Sequence, residues 1–151
     1  MLFDLEESQG EWFPFFTSRV DTDTGEIIYD DPVQDARVQI RSMAPFFEER
    51  LGVRKKVVEW KVNPKTKANE RHSFYPDLSY EEMKKEREDA WDYAITGLEG
   101  FQDAKTKKAL ACDRETKLKL MKNPVFDRFI ARCLQLLAES GVVQKEDLEK
   151  N

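Results

Sequence analysis

The sequence predicts an α+β fold, with a small antiparallel sheet in the N-terminal half followed by about three helices. Up to about residue 76, apolar and polar residues alternate, as in Val58, Trp60 and Val62 around Glu59 and Lys61. From residue 79 onward the apolar residues recur three and four apart, as in Phe126, Phe129, Ile130, Cys133, Leu134 and Leu137. The change of period falls near residue 78, and no Gly/Ser linker or internal repeat interrupts the 151 residues. The chain therefore reads as a single domain over 1–151, sheet-rich at 11–76, helical at 79–141, with a frayed charged tail at 142–151.

The first marked feature is Trp12-Phe13-Pro14-Phe15-Phe16, and two readings stand. It is an edge strand packed on the core, where proline is accepted, or an aromatic anchor for a partner. Strands are expected at 15–20 and 26–30. Between them Asp21-Thr22-Asp23-Thr24-Gly25 has the Asp and Gly content of a tight reversal. Val38 and Ile40 alternate with Arg37, Gln39 and Arg41 in a further strand. A short helix is expected over 44–51, opened by Pro45 and stopped by Gly52. Half-buried strands at 55–62 and 70–75 flank the reversal Asn63-Pro64-Lys65-Thr66-Lys67-Ala68-Asn69; Pro64 cannot donate to a ladder and so belongs in the loop.

In the second half, Ser79 and Glu82 form a capping box and Leu78 and Met83 are placed as a hydrophobic staple. That helix is expected to run to about Thr96, with Gly97 as its stop and an apolar face of Met83, Ala90, Trp91, Ala94, Ile95 and Leu98. Residues 103–111 read as a lysine-rich loop. Asp113 caps a short helix through Met121. Asn123 caps, and Pro124 opens, a strong helix that Gly141 ends.

Composition narrows the function. Lys and Arg number 25 against 30 Asp and Glu, interleaved, with a net charge of −5, whereas nucleic-acid binding favours a clustered basic face. The patches Arg54-Lys55-Lys56 and Lys105, Lys107 and Lys108 lack interleaved aromatics, so no nucleic acid is expected. The acidic start, Met1 to Glu7, lacks the basic and apolar parts of a signal peptide, and no stretch is apolar enough to span a membrane. Two cysteines without metal-ligand spacing, Cys112 and Cys133, read as reduced thiols of a cytosolic protein. No metal or cofactor is expected. Gly25 falls fifth from Asp21 and Pro32 twelfth, which an EF-hand loop does not allow. The lone histidine, His72, sits between Arg71 and Ser73 without an ordered acid–nucleophile set. The lysines before Cys112 would lower a thiol pKa, but with no histidine nearby in sequence it reads as inert. The chain is expected not to be an enzyme.

A resemblance adds to this reading. Trp91-Asp92-Tyr93-Ala94-Ile95, Cys112, Lys117-Leu118-Lys119-Leu120-Met121, Asn123-Pro124-Val125-Phe126 and Phe129 to Leu134 resemble tail assembly chaperones of long-tailed, siphovirus-like phages and prophages. Trp12-Phe13-Pro14-Phe15-Phe16 and Asn63-Pro64-Lys65-Thr66 extend the resemblance to most of the chain. Asp103-Ala104-Lys105-Thr106 departs from the pattern by lacking a turn glycine. The resemblance implies a chaperone in the bacterial host cytoplasm that binds the tape-measure protein until tail tube protein polymerises around it. It implies no catalytic residues. Partner contacts are expected at Trp12, Phe13, Phe15, Phe16 and Trp91. The alternative is a virion structural protein, such as a tail-completion or connector component.

Overall fold

A computed structural model describes residues 9–53 and 56–150, the side chains of 51–53 and 141–150 excepted. The acidic start, together with Arg54 and Lys55, lies outside the described residues. The fold is α+β. Seven strands and four helices are described: β1 Glu11–Pro14, β2 Ser18–Val20, β3 Ile27–Tyr29, β4 Arg37–Ile40, α1 Ala44–Val53, β5 Val57–Val62, β6 Asn69–Phe74, α2 Tyr80–Ala94, β7 Ile95–Glu99, α3 Arg114–Met121 and α4 Pro124–Lys150. They form two compact units, one of Met1–Met43 with Glu88–Asn151 and one of Ala44–Arg87.

The larger unit holds a three-stranded antiparallel sheet of order β1-β4-β7 and the hairpin β2-β3. Val38, Ile40 and Ile95 from the sheet meet Met121 from α3 and Phe126, Phe129, Ile130 and Cys133 from α4. The α4 stripe is therefore buried as its spacing requires, with Leu134 and Leu137 packed at its margin. Both expected caps form. Asp113 accepts a hydrogen bond from Thr116 N, and Asn123 Oδ1 accepts one from Val125 N at 2.9 Å. Arg128 on α4 donates to Ser18 Oγ at 2.7 Å and to Ser18 O at 2.9 Å, which fixes the β2-β3 hairpin to the helix.

Three helix expectations need correction. The second helix starts as predicted, with Ser79 Oγ accepting from Glu82 N at 3.2 Å, but it stops at Ala94 rather than Thr96. Ile95 and Leu98 then lie in β7 and pair with β4. The reason is non-local. Lys117 Nζ donates to Asp92 O at 3.0 Å, Arg41 Nε to Tyr93 O at 2.6 Å, and Arg41 N to Ala94 O at 2.9 Å. Cations and an amide from distant segments thus take the last helical carbonyls, at the negative end of the dipole. Gly97 is no helix stop. It lies in register with Gln39 and, through Gln39, with Trp12, and a Cβ there would sit 2.7 Å from the Trp12 ring. The staple residue Met83, expected on the buried face, is 52% exposed. At the other end, α4 continues through Gly141 to Lys150, because a glycine inside a helix costs only about 1 kcal/mol against alanine.

One turn is used three times. At Asp21, Asn63 and Asp103 the first residue's side chain accepts an amide two residues on, at 2.9, 2.9 and 2.7 Å. The fifth residue donates its N–H back to the first residue's carbonyl in each. That fifth residue is left-handed: Gly25 at φ 73°, Lys67 at 57°, Lys107 at 59°. The segment 103–111 is thus a tight reversal closed by the Gln102–Ala109 bridge, not an open loop. The turn closes with Thr106 at the position where the resemblance expects glycine, and its left-handed residue is the next one, Lys107.

In the smaller unit, α1 covers the expected span and runs one residue past Gly52. β5 and β6 pair in the expected hairpin, with Trp60 opposite Arg71. The half-buried expectation fails here, since every residue of both strands is exposed. Alternation reports which residues share a face; it cannot report whether anything covers that face.

Candidate protein interface

The aromatic segment 12–16 is built along β1, an edge strand, where the missing N–H of Pro14 is tolerated. Its side chains divide by strand parity. Phe13 lies opposite Val38 on the core side and packs there. Phe15 and Phe16 follow the strand and turn inward. Phe15 meets Phe101 at 5.3 Å and Phe129 at 5.0 Å, both edge-on, and Phe16 meets Phe129 at 4.9 Å and Tyr29 at 5.6 Å. Trp91 packs on the same core from α2. Four of the five expected contact residues therefore join one aromatic core cluster. Trp12 takes the opposite face, 37% exposed, with the Arg37 guanidinium 4.4 Å from its ring centre and its ring lying over Gly97. Arg37 also pairs with Glu99 at 2.5 Å, which holds the Glu99 carboxyl below its ordinary value.

Asp21 uses its carboxylate to close its own turn. His72 is an exposed strand residue whose Nε2 is 3.7 Å from the Glu70 carboxylate. Cys112 is exposed, and its thiol is raised rather than lowered. Partial desolvation raises it, against the pull of Lys117. Cys133 is buried on α4, and burial pushes its thiol up to about 12. Among the described residues no group of three or more His, Cys, Asp or Glu could hold a metal ion, and no helix is long and apolar enough to cross a membrane.

A row of exposed apolar side chains lies on the β5-β6 hairpin. In the smaller unit Trp60 is 67% and Val62 60% exposed, and Val58, Phe74 and Tyr75 each about two-fifths. β5 and β6 alternate strictly in register, so Val58, Trp60 and Val62 share one face with Ser73, Arg71 and Asn69. The other face carries Val57, Glu59 and Lys61 with Phe74, His72 and Glu70; there Lys61 lies 3.7 Å from Glu59, and Asn63 Nδ2 donates to Glu70 at 2.7 Å. The first face has no carboxylate. A signal was present in the sequence, since positions 54–75 hold seven Lys or Arg against two Glu, a net +5 in a chain of net −5. No known protein family, curated protein or solved structure matches this chain.

Proposed function

We propose that the protein is a phage tail assembly chaperone, which binds the tape-measure protein and yields it to tail tube subunits. The observation supporting a binding role is the set of exposed apolar side chains on β5 and β6, headed by Trp60. A hairpin of two strands is marginal by itself, and a row of exposed Val, Trp and Val marks a surface that gains by being covered. The partner is named from the resemblance of residues 12–16, 63–66, 91–95, Cys112, 117–121, 123–126 and 129–134 to such chaperones. A client with amphipathic helices would be kept from aggregating by burying its apolar stripe on such a surface.

Co-expression with the tape-measure protein of the same tail gene cluster is the test. The tape-measure protein should become markedly more soluble, and the chaperone should be missing from purified tails. Equal solubility with and without the partner overturns the proposal. Stoichiometric amounts in finished particles replace it with the alternative, a tail-completion or connector component.

A further inference from the structure

We infer that the Val58-Trp60-Val62 face of the β5-β6 hairpin is the docking site for an acidic amphipathic helix of a partner protein. The inference rests on the binding role proposed above and adds the site and the chemistry of its occupant. Its shape comes first. Each strand has six residues, so the face is about 20 Å long. Two strands about 4.8 Å apart, with their side chains, present a width close to the roughly 10 Å diameter of a helix. A helix of about 13 residues, three to four turns, covers that length. Trp60 stands at the middle of the row, with Val58 and Val62 two residues to either side. A large aromatic between smaller apolar neighbours is the usual form of an interface anchor.

Charge then selects the helix. Arg71 lies directly across from Trp60, and Lys56, just before β5, stacks over the Tyr75 ring at 5.5 Å. The turn at the far end adds Lys65 and Lys67. The two glutamates of the hairpin, Glu59 and Glu70, are on the opposite face. Lys56 and Arg71 therefore set cations at one end of the apolar row and across its centre, and the lysines of the turn lie beyond its other end. A helix with an apolar stripe flanked by Asp and Glu satisfies both features, whereas a basic helix is repelled. Nucleic acid would find the cations, but a Val-Trp-Val row provides one stacking platform where single strands favour successive ones.

The test is a titration of the full-length protein with three labelled probes, followed by fluorescence anisotropy. The probes are a helix-forming peptide of about 14 residues with a Leu stripe flanked by Glu, the same peptide with Lys for Glu, and single-stranded DNA of about 12 nucleotides. The acidic peptide should bind saturably, and at least about tenfold more tightly than its Lys counterpart. Raising salt from about 50 to 500 mM should weaken it. Trp60→Ala and Arg71→Glu should each weaken it about tenfold or more. Both positions are exposed, so circular dichroism should show both variants folded. Val20→Ala, at an exposed position of the other unit, should bind like the parent. The inference is overturned if the acidic peptide fails to bind, binds Trp60→Ala unchanged, or is outcompeted by the DNA. Co-expression separates this outcome from the wider proposal. A Trp60→Ala protein that still solubilises the tape-measure protein removes the docking site and leaves the chaperone role. A parent protein that does not solubilise it removes the chaperone role, and the peptide titration still decides the hairpin.

Discussion

Phe129→Ala tests the core at its centre. The ring is fully buried and meets Phe16 at 4.9 Å, Phe15 at 5.0 Å and Phe126 at 6.2 Å. Truncation removes its transfer free energy and leaves a cavity between α4 and the 12–16 segment, at a cost of about 3–5 kcal/mol. The site cannot readily collapse, because Phe16 is also set edge-on to Tyr29 and Phe15 to Phe101. Against a domain stability of about 5–15 kcal/mol this is a large fraction. Urea unfolding is best followed by tryptophan emission in a Trp60→Phe background. The remaining tryptophans, Trp12 and Trp91, then both report on the unit that holds the core. With a urea slope of about 2 kcal/mol per molar, the midpoint should fall by about 2 M. Phe129→Leu keeps most of the apolar volume and should cost about 1 kcal/mol. Midpoints within about 0.5 M of the parent for both variants would refute the assignment of Phe129 to a packed core.

Three further outcomes are expected. With burial holding the Cys133 thiol up at about 12, the folded protein keeps a proton that the unfolded chain releases above about pH 9. Stability should therefore fall as pH rises through that window, and urea midpoints of Cys133→Ala should fall less steeply between about pH 8.5 and 10.5. The two cysteines should separate in a thiol-reagent assay, Cys112 reacting in the native protein and Cys133 only after denaturation. The left-handed turn positions should respond with opposite signs. Lys107→Gly relieves a side chain at φ 59° and should stabilise by about 0.5–1 kcal/mol. Gly100→Ala places a Cβ 1.8 Å from Asp35 O at φ +81° and should destabilise by about 1–3 kcal/mol, both read from thermal midpoints.

Local rules carried much of the fold. Ser79, Asp113 and Asn123 cap the helices they precede, since a cap needs only one side chain and an amide two or three residues away. The α4 stripe is buried because six apolar residues on one helical face have no other stable place. The same rules misjudged the end of α2. Nothing in its last turn is basic, and the cations that terminate it, Arg41 and Lys117, arrive from β4's end and from α3. The 12–16 aromatics were legible as either core or contact, and parity along β1 with the chain that follows Pro14 sends Phe13, Phe15 and Phe16 to the core cluster.

By itself, then, the sequence determined the α+β class, three helix starts, the two hairpins with turns at Asp21 and Asn63, and the identity of the α4 core face, because each depends on residues within about one turn or one pleat of one another. Only the tertiary structure decided which apolar rows are covered. Val38 and Ile40 are buried under α4's aromatics while Val58, Trp60 and Val62, with the same alternation, stand open. Periodicity sets the direction of a side chain, but burial is set by what distant chain packs against it.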